Sequence, residues 1–211
     1  MNDSQRRIYI VFSRTPGKLG RAIRTVTGEE YNHVSLALDP RLRRCYSFAR
    51  IHENTPLCGG FVKESPLRFT RNGVPSRIMI CALDIPCGRY RLLEQKLRRM
   101  EDSGDYIYNT VSALMAVIHR RVDIPRAYTC VEFVADMLRL SGVTLPAGFI
   151  TVGELAALLG QNAVYRGSSE PFCRGAVWGR DEFSVRSSAG GYLLRTAGNF
   201  ATLAARRLSA R

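Results

Sequence analysis

No run of about eighteen apolar residues occurs anywhere in this 211-residue chain, so nothing in it reads as a membrane-crossing helix. The opening stretch MNDSQRRIYIVFSR has neither a long apolar segment nor a small-residue cleavage site, so export through a signal peptide is not expected. The six cysteines (45, 58, 81, 87, 130 and 173) are then expected to be reduced, in a cytoplasmic setting. They make no CxxC pair and no metal-ligand spacing with the three histidines (33, 52 and 119), so no metal or cofactor is expected. Lysine is scarce as well. Lys18, Lys63 and Lys96 are the only three, and arginine supplies the rest of a net charge of +13. The basic residues are scattered and lack the aromatic interleaving of a single-strand binder, so no specific nucleic-acid partner is expected. No internal repeat or low-complexity block appears.

What is there suffices for one sizeable core, at 45% hydrophobic residues. IYIVFSR (8–14) reads as a buried strand, and TPGKLGRAIRTVTG after it as a helix. YNHVSLALD (31–39) alternates, with Val34, Leu36 and Leu38 on one face and His33, Ser35 and Ala37 on the other. CYSFAR (45–50) repeats that alternation across a turn, which predicts an antiparallel pair. SRIMICALDI (76–85) and NAVYRG (162–167) are further strands. RYRLLEQKLRRME and YIYNTVSALMAVIHRR read as helices. Strands first and helices after predict an α+β fold with a mainly antiparallel sheet over residues 1–167. Residues 168–211 read as a basic appendage, weakly ordered or forming a short amphipathic helix, able to touch an anionic membrane at its inner surface.

The chemistry concentrates in RAYTCVEFVADMLRLSG (126–142). Thr129 and Glu132 have the T-x-x-E spacing of a capping box, which makes Thr129 the N-cap and Cys130 the first helical residue. Thr151 and Glu154 form a second such box. Cys130, Phe133, Val134, Met137 and Leu138 share one face, so the thiol points into the body at the positive end of a helix dipole, where a thiolate is favoured. The competing reading, a small apolar residue that begins a core helix, is the commoner fate of such a cysteine. His33, with small residues beside it on its strand face, is the candidate base; His52 in a loop and His119 at a helix end are weaker. Large apolar rings at 46 and 48 would put Ser47 on the His33 face, making Ser47 the candidate orienting group. Arg50 and Tyr128 are the candidate substrate contacts.

NHVSLAL, then YSFAR, then YTCVEFVADMLRLSGV followed by TVGELAALL, resembles the circularly permuted branch of the papain-like NlpC-type superfamily, which includes bacterial members and the lecithin retinol acyltransferase group. The resemblance covers roughly residues 8–167, and its order and spacing are more informative than any single motif. It implies a thiol hydrolase or acyltransferase cleaving an amide or ester bond through a Cys–His acyl-enzyme, with Cys130 as nucleophile and His33 as base. Ser47 departs from the histidine, glutamate or glutamine often found in the third role. Expected substrates are peptides, cell-wall fragments or lipids. The alternative is an inactive domain of the same fold that binds an anionic ligand through its arginines.

Overall fold

The computed structural model describes residues 4–15, 18–52, 54–55, 57–71, 73–116, 119–177 and 188–210. The elements run β1 (Gln5–Ser13), α1 (Lys18–Thr27), β2 (His33–Ala37), β3 (Cys45–Arg50), β4 (Gly59–Glu64), β5 (Thr70–Arg71), β6 (Val74–Pro75) and β7 (Arg77–Pro86). They continue as α2 (Cys87–Ser103), β8 (Ile107–Tyr108), α3 (Thr110–Met115), β9 (Ala127–Tyr128), α4 (Cys130–Leu140), α5 (Val152–Leu159), β10 (Ala163–Ser168), α6 (Glu170–Cys173) and α7 (Ala189–Ser209). Eight strands form one sheet in the order β10-β7-β1-β2-β3-β4-β8-β9, while β5 and β6 make a small hairpin. All its ladders are antiparallel except β8 with β9. The α+β fold with a mainly antiparallel sheet is therefore present. Among the described residues no helix is long and apolar enough to cross a membrane.

Alternation assigns the two faces of the sheet. Ile8, Ile10, Phe12, Val34, Leu36, Tyr46 and Phe48 pack against α4, where Phe133, Val134 and Leu138 are fully buried. Each such side chain contributes roughly 1.5–3 kcal/mol through burial. The other face carries Val11, Ala37 and Cys45 against Phe69, Ile78 and Ile80. Cys45 pairs with Ala37 on one side and with Glu64 on the other, so β2, β3 and β4 share this second face, which is also that of His33 and Ser35.

The helix expected over YIYNTVSALMAVIHRR is replaced by the two-residue strand β8 and the six-residue helix α3. Asn109 caps α3 by accepting from the Ser112 N–H at 3.0 Å, which ends the strand and starts the helix at one residue. Gly59 and Gly60 permit β8 to lie against β4. A Cβ at Gly60 would stand 2.8 Å from the Tyr106 carbonyl, and one at Gly59 would stand 2.5 Å from the Ala49 carbonyl.

The C-terminal segment forms a 21-residue helix, longer than the short one expected. Its inward side holds to the body at several points. Leu203 is buried with Ile124 and Ala127. Asn199 donates to the Tyr108 carbonyl at 3.4 Å and to Thr110 Oγ1 at 3.0 Å. Arg206 donates to the carbonyls of Arg126 at 3.1 Å and Asp105 at 2.8 Å. These contacts brace the two strands that lead to Cys130.

Candidate active site

Cys130 opens α4 behind the capping box that the spacing predicts. Thr129 Oγ1 accepts from the Glu132 N–H at 3.3 Å, and Glu132 Oε2 accepts from the Thr129 N–H at 2.7 Å. Strand β9 delivers the chain to this cap. Asn109 N–H donates to the Tyr128 carbonyl at 2.9 Å, and Ile107 N–H to the Arg126 carbonyl at 3.1 Å. The backbone N–H of Cys130 belongs to the first turn and has no partner within the helix.

His33 begins β2, and the residue before it is fixed. Asn32 Oδ1 accepts from the Thr15 N–H at 3.0 Å and from Arg24 Nη1 at 2.7 Å, and Asn32 Nδ2 donates to Thr15 Oγ1. The His33 ring is buried. Its Nε2 lies 2.8 Å from Glu64 Oε1 and 3.2 Å from Ser35 Oγ, while Ser35 Oγ donates to Glu64 Oε2 at 2.5 Å. Burial raises the Glu64 carboxyl, but the charge and hydrogen bond of His33, then Arg68 and Ser35, outweigh it and hold the group down at about 2. An ionised carboxylate only accepts, so Nε2 carries the proton of this bond.

Burial lowers His33, but the charge of Glu64, hydrogen bonds to Cys130 and Glu64, and the charge on Cys130 outweigh it and push the ring up to about 10. Three thiols are shifted upward by their surroundings. Burial first, then the charge of Glu64, pushes Cys45 well above its ordinary value, and burial pushes Cys81 up to about 11. Burial also raises Cys173. All six cysteines are free thiols.

Ser47, the expected orienting residue, is corrected by this geometry. It shares the face of Cys45 and Glu64, as the alternation predicts, yet its buried Oγ has no hydrogen-bond partner. Glu64, one strand further on, reaches the ring instead, because a carboxylate spans a gap that a serine hydroxyl cannot. Arg50 ends β3, and its carbonyl accepts from Arg68 Nη1 at 2.8 Å, which ties the strand end to the Glu64 environment. The Tyr128 ring packs on Phe48 with centroids 5.2 Å apart and so serves the aromatic core beside the site. His119 lies exposed at a turn against Phe149, with ring centroids 5.9 Å apart. Among the described residues no group of three or more His, Cys, Asp or Glu could hold a metal ion.

Tyr108 is the second residue that the motifs missed. Burial is the main cause that raises its phenol, the charges of Cys130 and Glu132 add to it, and Arg50 opposes them. The phenol therefore stands in the electrostatic reach of both the sulfur and Arg50. The available signal was CGGF, whose paired glycines mark a close backbone approach.

No family model, curated protein or solved structure matches this chain.

Proposed function

We propose that the chain is a thiol hydrolase or acyltransferase acting on an amide or ester, in a circularly permuted papain-like fold of the NlpC type. One observation carries this reading: the buried His33 ring is held by Glu64 at Nε2, 2.8 Å away, and lies within electrostatic reach of Cys130 at a helix start. The order of a histidine strand before the cysteine helix supports the permuted arrangement.

In this mechanism the Cys130 thiolate attacks the carbonyl carbon, forming a C–S bond as the carbonyl π pair moves to oxygen. The Cys130 N–H, at the start of α4, is a donor available to that oxyanion. Collapse breaks the bond to the amine or alcohol, which leaves with the proton from His33. The neutral ring then takes a proton from water, or from an acceptor alcohol or amine, whose attack on the thioester releases the acyl group and restores the thiolate beside the protonated ring. Glu64 fixes the ring and stabilises its charged form. Arg50, beside Tyr108, favours substrates with an anionic group near the scissile bond.

Iodoacetamide labelling of wild type, Cys130→Ala and His33→Ala across pH, read by peptide mass spectrometry, tests the dyad. Cys130 is expected to label at least about tenfold faster than the other thiols near neutral pH, and to lose that advantage in His33→Ala. Labelling spread evenly over all six cysteines would overturn the proposal.

A further inference from the structure

A pocket of about 990 Å³ opens where the β2–β3 turn, the end of β4 and the segment after α6 converge. It is bordered by Glu64 but by neither His33 nor Cys130, so it is separate from the thiol. Its size falls within the range of small-molecule sites.

The turn is built to present cations to this space. Asp39 accepts from the backbone N–H groups of Arg41 at 2.9 Å, Arg43 at 3.2 Å and Arg44 at 2.6 Å, so its carboxylate is spent on the backbone. Leu42 adopts a left-handed φ of 57° and is fully buried, which turns its neighbours Arg41 and Arg43 outward. A non-glycine residue held in that region is a local cost that the surrounding turn sustains. Lys63 enters from β4 and Arg174 from beyond α6. Among the described residues Arg41, Arg43 and Lys63 form no ion pair within 4.0 Å, whereas Arg174 pairs with Glu170 at 2.9 Å. Of the two acids that line the pocket, Glu64 is already neutralised by His33 and Arg68, leaving Glu101 against three unpaired cations. Pro66, Phe172 and Val177 supply an apolar wall.

We infer that this pocket binds a phosphate monoester carried on an apolar body. Two guanidinium forks and an ammonium suit a doubly charged phosphate better than a single carboxylate. The apolar wall accounts for the rest of the ligand. The pocket shares Glu64 with the candidate active site, but the cations that hold the ligand, Arg41, Arg43 and Lys63, take no part in the thiol chemistry.

Calorimetric titration of the full chain with 2-naphthyl phosphate, with 2-naphthol as the neutral control, tests a soluble source. Sedimentation with phosphatidylcholine vesicles containing phosphatidic acid tests a lipid headgroup. The expected result is saturable binding in one arm, weakened about tenfold or more by the double variant Arg43→Glu/Lys63→Glu. The double variant Arg91→Glu/Arg99→Glu, on the exposed side of α2, makes the same change in net charge and should leave binding within about twofold. Both pairs are exposed side chains, and thermal melts check that each variant folds. Absence of saturable binding in both arms, or equal loss in the two double variants, would overturn the site.

Discussion

Helices α4 and α5 begin with the same device and present it to different surroundings. In α5 the Thr151 N–H donates to Glu154 Oε2 at 2.8 Å and the Glu154 N–H to Thr151 Oγ1 at 3.1 Å, which matches the cap of α4 bond for bond. The first helical residues, Cys130 and Val152, are 7% and 9% exposed, so burial does not separate them either. What differs is the neighbour. Cys130 meets an imidazole backed by a carboxylate, and Val152 meets the apolar core. The cap also differs in setting, since Glu132 is buried while Glu154 is exposed, and burial raises the Glu132 carboxyl. A helix start orients a side chain; the strand opposite decides what that side chain does.

The sharpest way to break this contrast is Val152→Cys, which places a second thiol at the equivalent position without an imidazole. Within one molecule, iodoacetamide should label Cys130 at least about tenfold faster than the new thiol. Equal rates would assign the reactivity to the helix start alone.

Next in size is Glu64→Gln, which keeps the shape and removes the charge. Ring NMR should follow His33 from about 10 back toward its ordinary 6.5. A ring that stays high would remove Glu64 from the site. The same pair sets a pH window for stability. His33, raised on folding, contributes fully below 6.5 and loses its contribution as pH climbs through about 10. Glu64, lowered on folding, contributes fully above 4.5 and loses its contribution as pH falls through about 2. The contribution of the pair is therefore greatest between 4.5 and 6.5, and urea titrations of Glu64→Gln against wild type should differ most there.

Smaller effects separate the two caps. Thr129→Ala leaves a buried N–H unpartnered and should cost about 2 kcal/mol, against about 1 kcal/mol or less for the exposed cap lost in Thr151→Ala, both read from urea midpoints. Smallest is Ser47→Ala. The hydroxyl there has no partner, so stability should hold within about 0.5 kcal/mol and the Cys130 labelling rate should not change. A large loss of labelling would return Ser47 to the orienting role.

The parts of the site that were legible in sequence are those written locally. Alternation in NHVSLAL and CYSFAR assigned the faces of β2 and β3, and T-x-x-E located the start of α4 to the residue. Glu64 was not legible because its role depends on the pairing of Cys45 with Glu64 and on a reach across to β2, both properties of register. In sequence, a glutamate after a lysine in GGFVKES reads as a solvated charge. Tyr108 was hidden by a helical spacing of apolar residues that Asn109 interrupts through its side chain. The last helix was underrated because much of its interior side is polar, with Thr196, Asn199 and Arg206 around the buried Leu203.

That helix has a consequence for how the protein is made. Its bracing residues Asn199 and Arg206 leave the ribosome about seventy positions after Cys130, yet they hold the two strands that lead to it. At about 5–20 residues per second, translation leaves Cys130 without that brace on the order of several seconds. Cys130 is thus synthesised well before the helix that braces the strands leading to it.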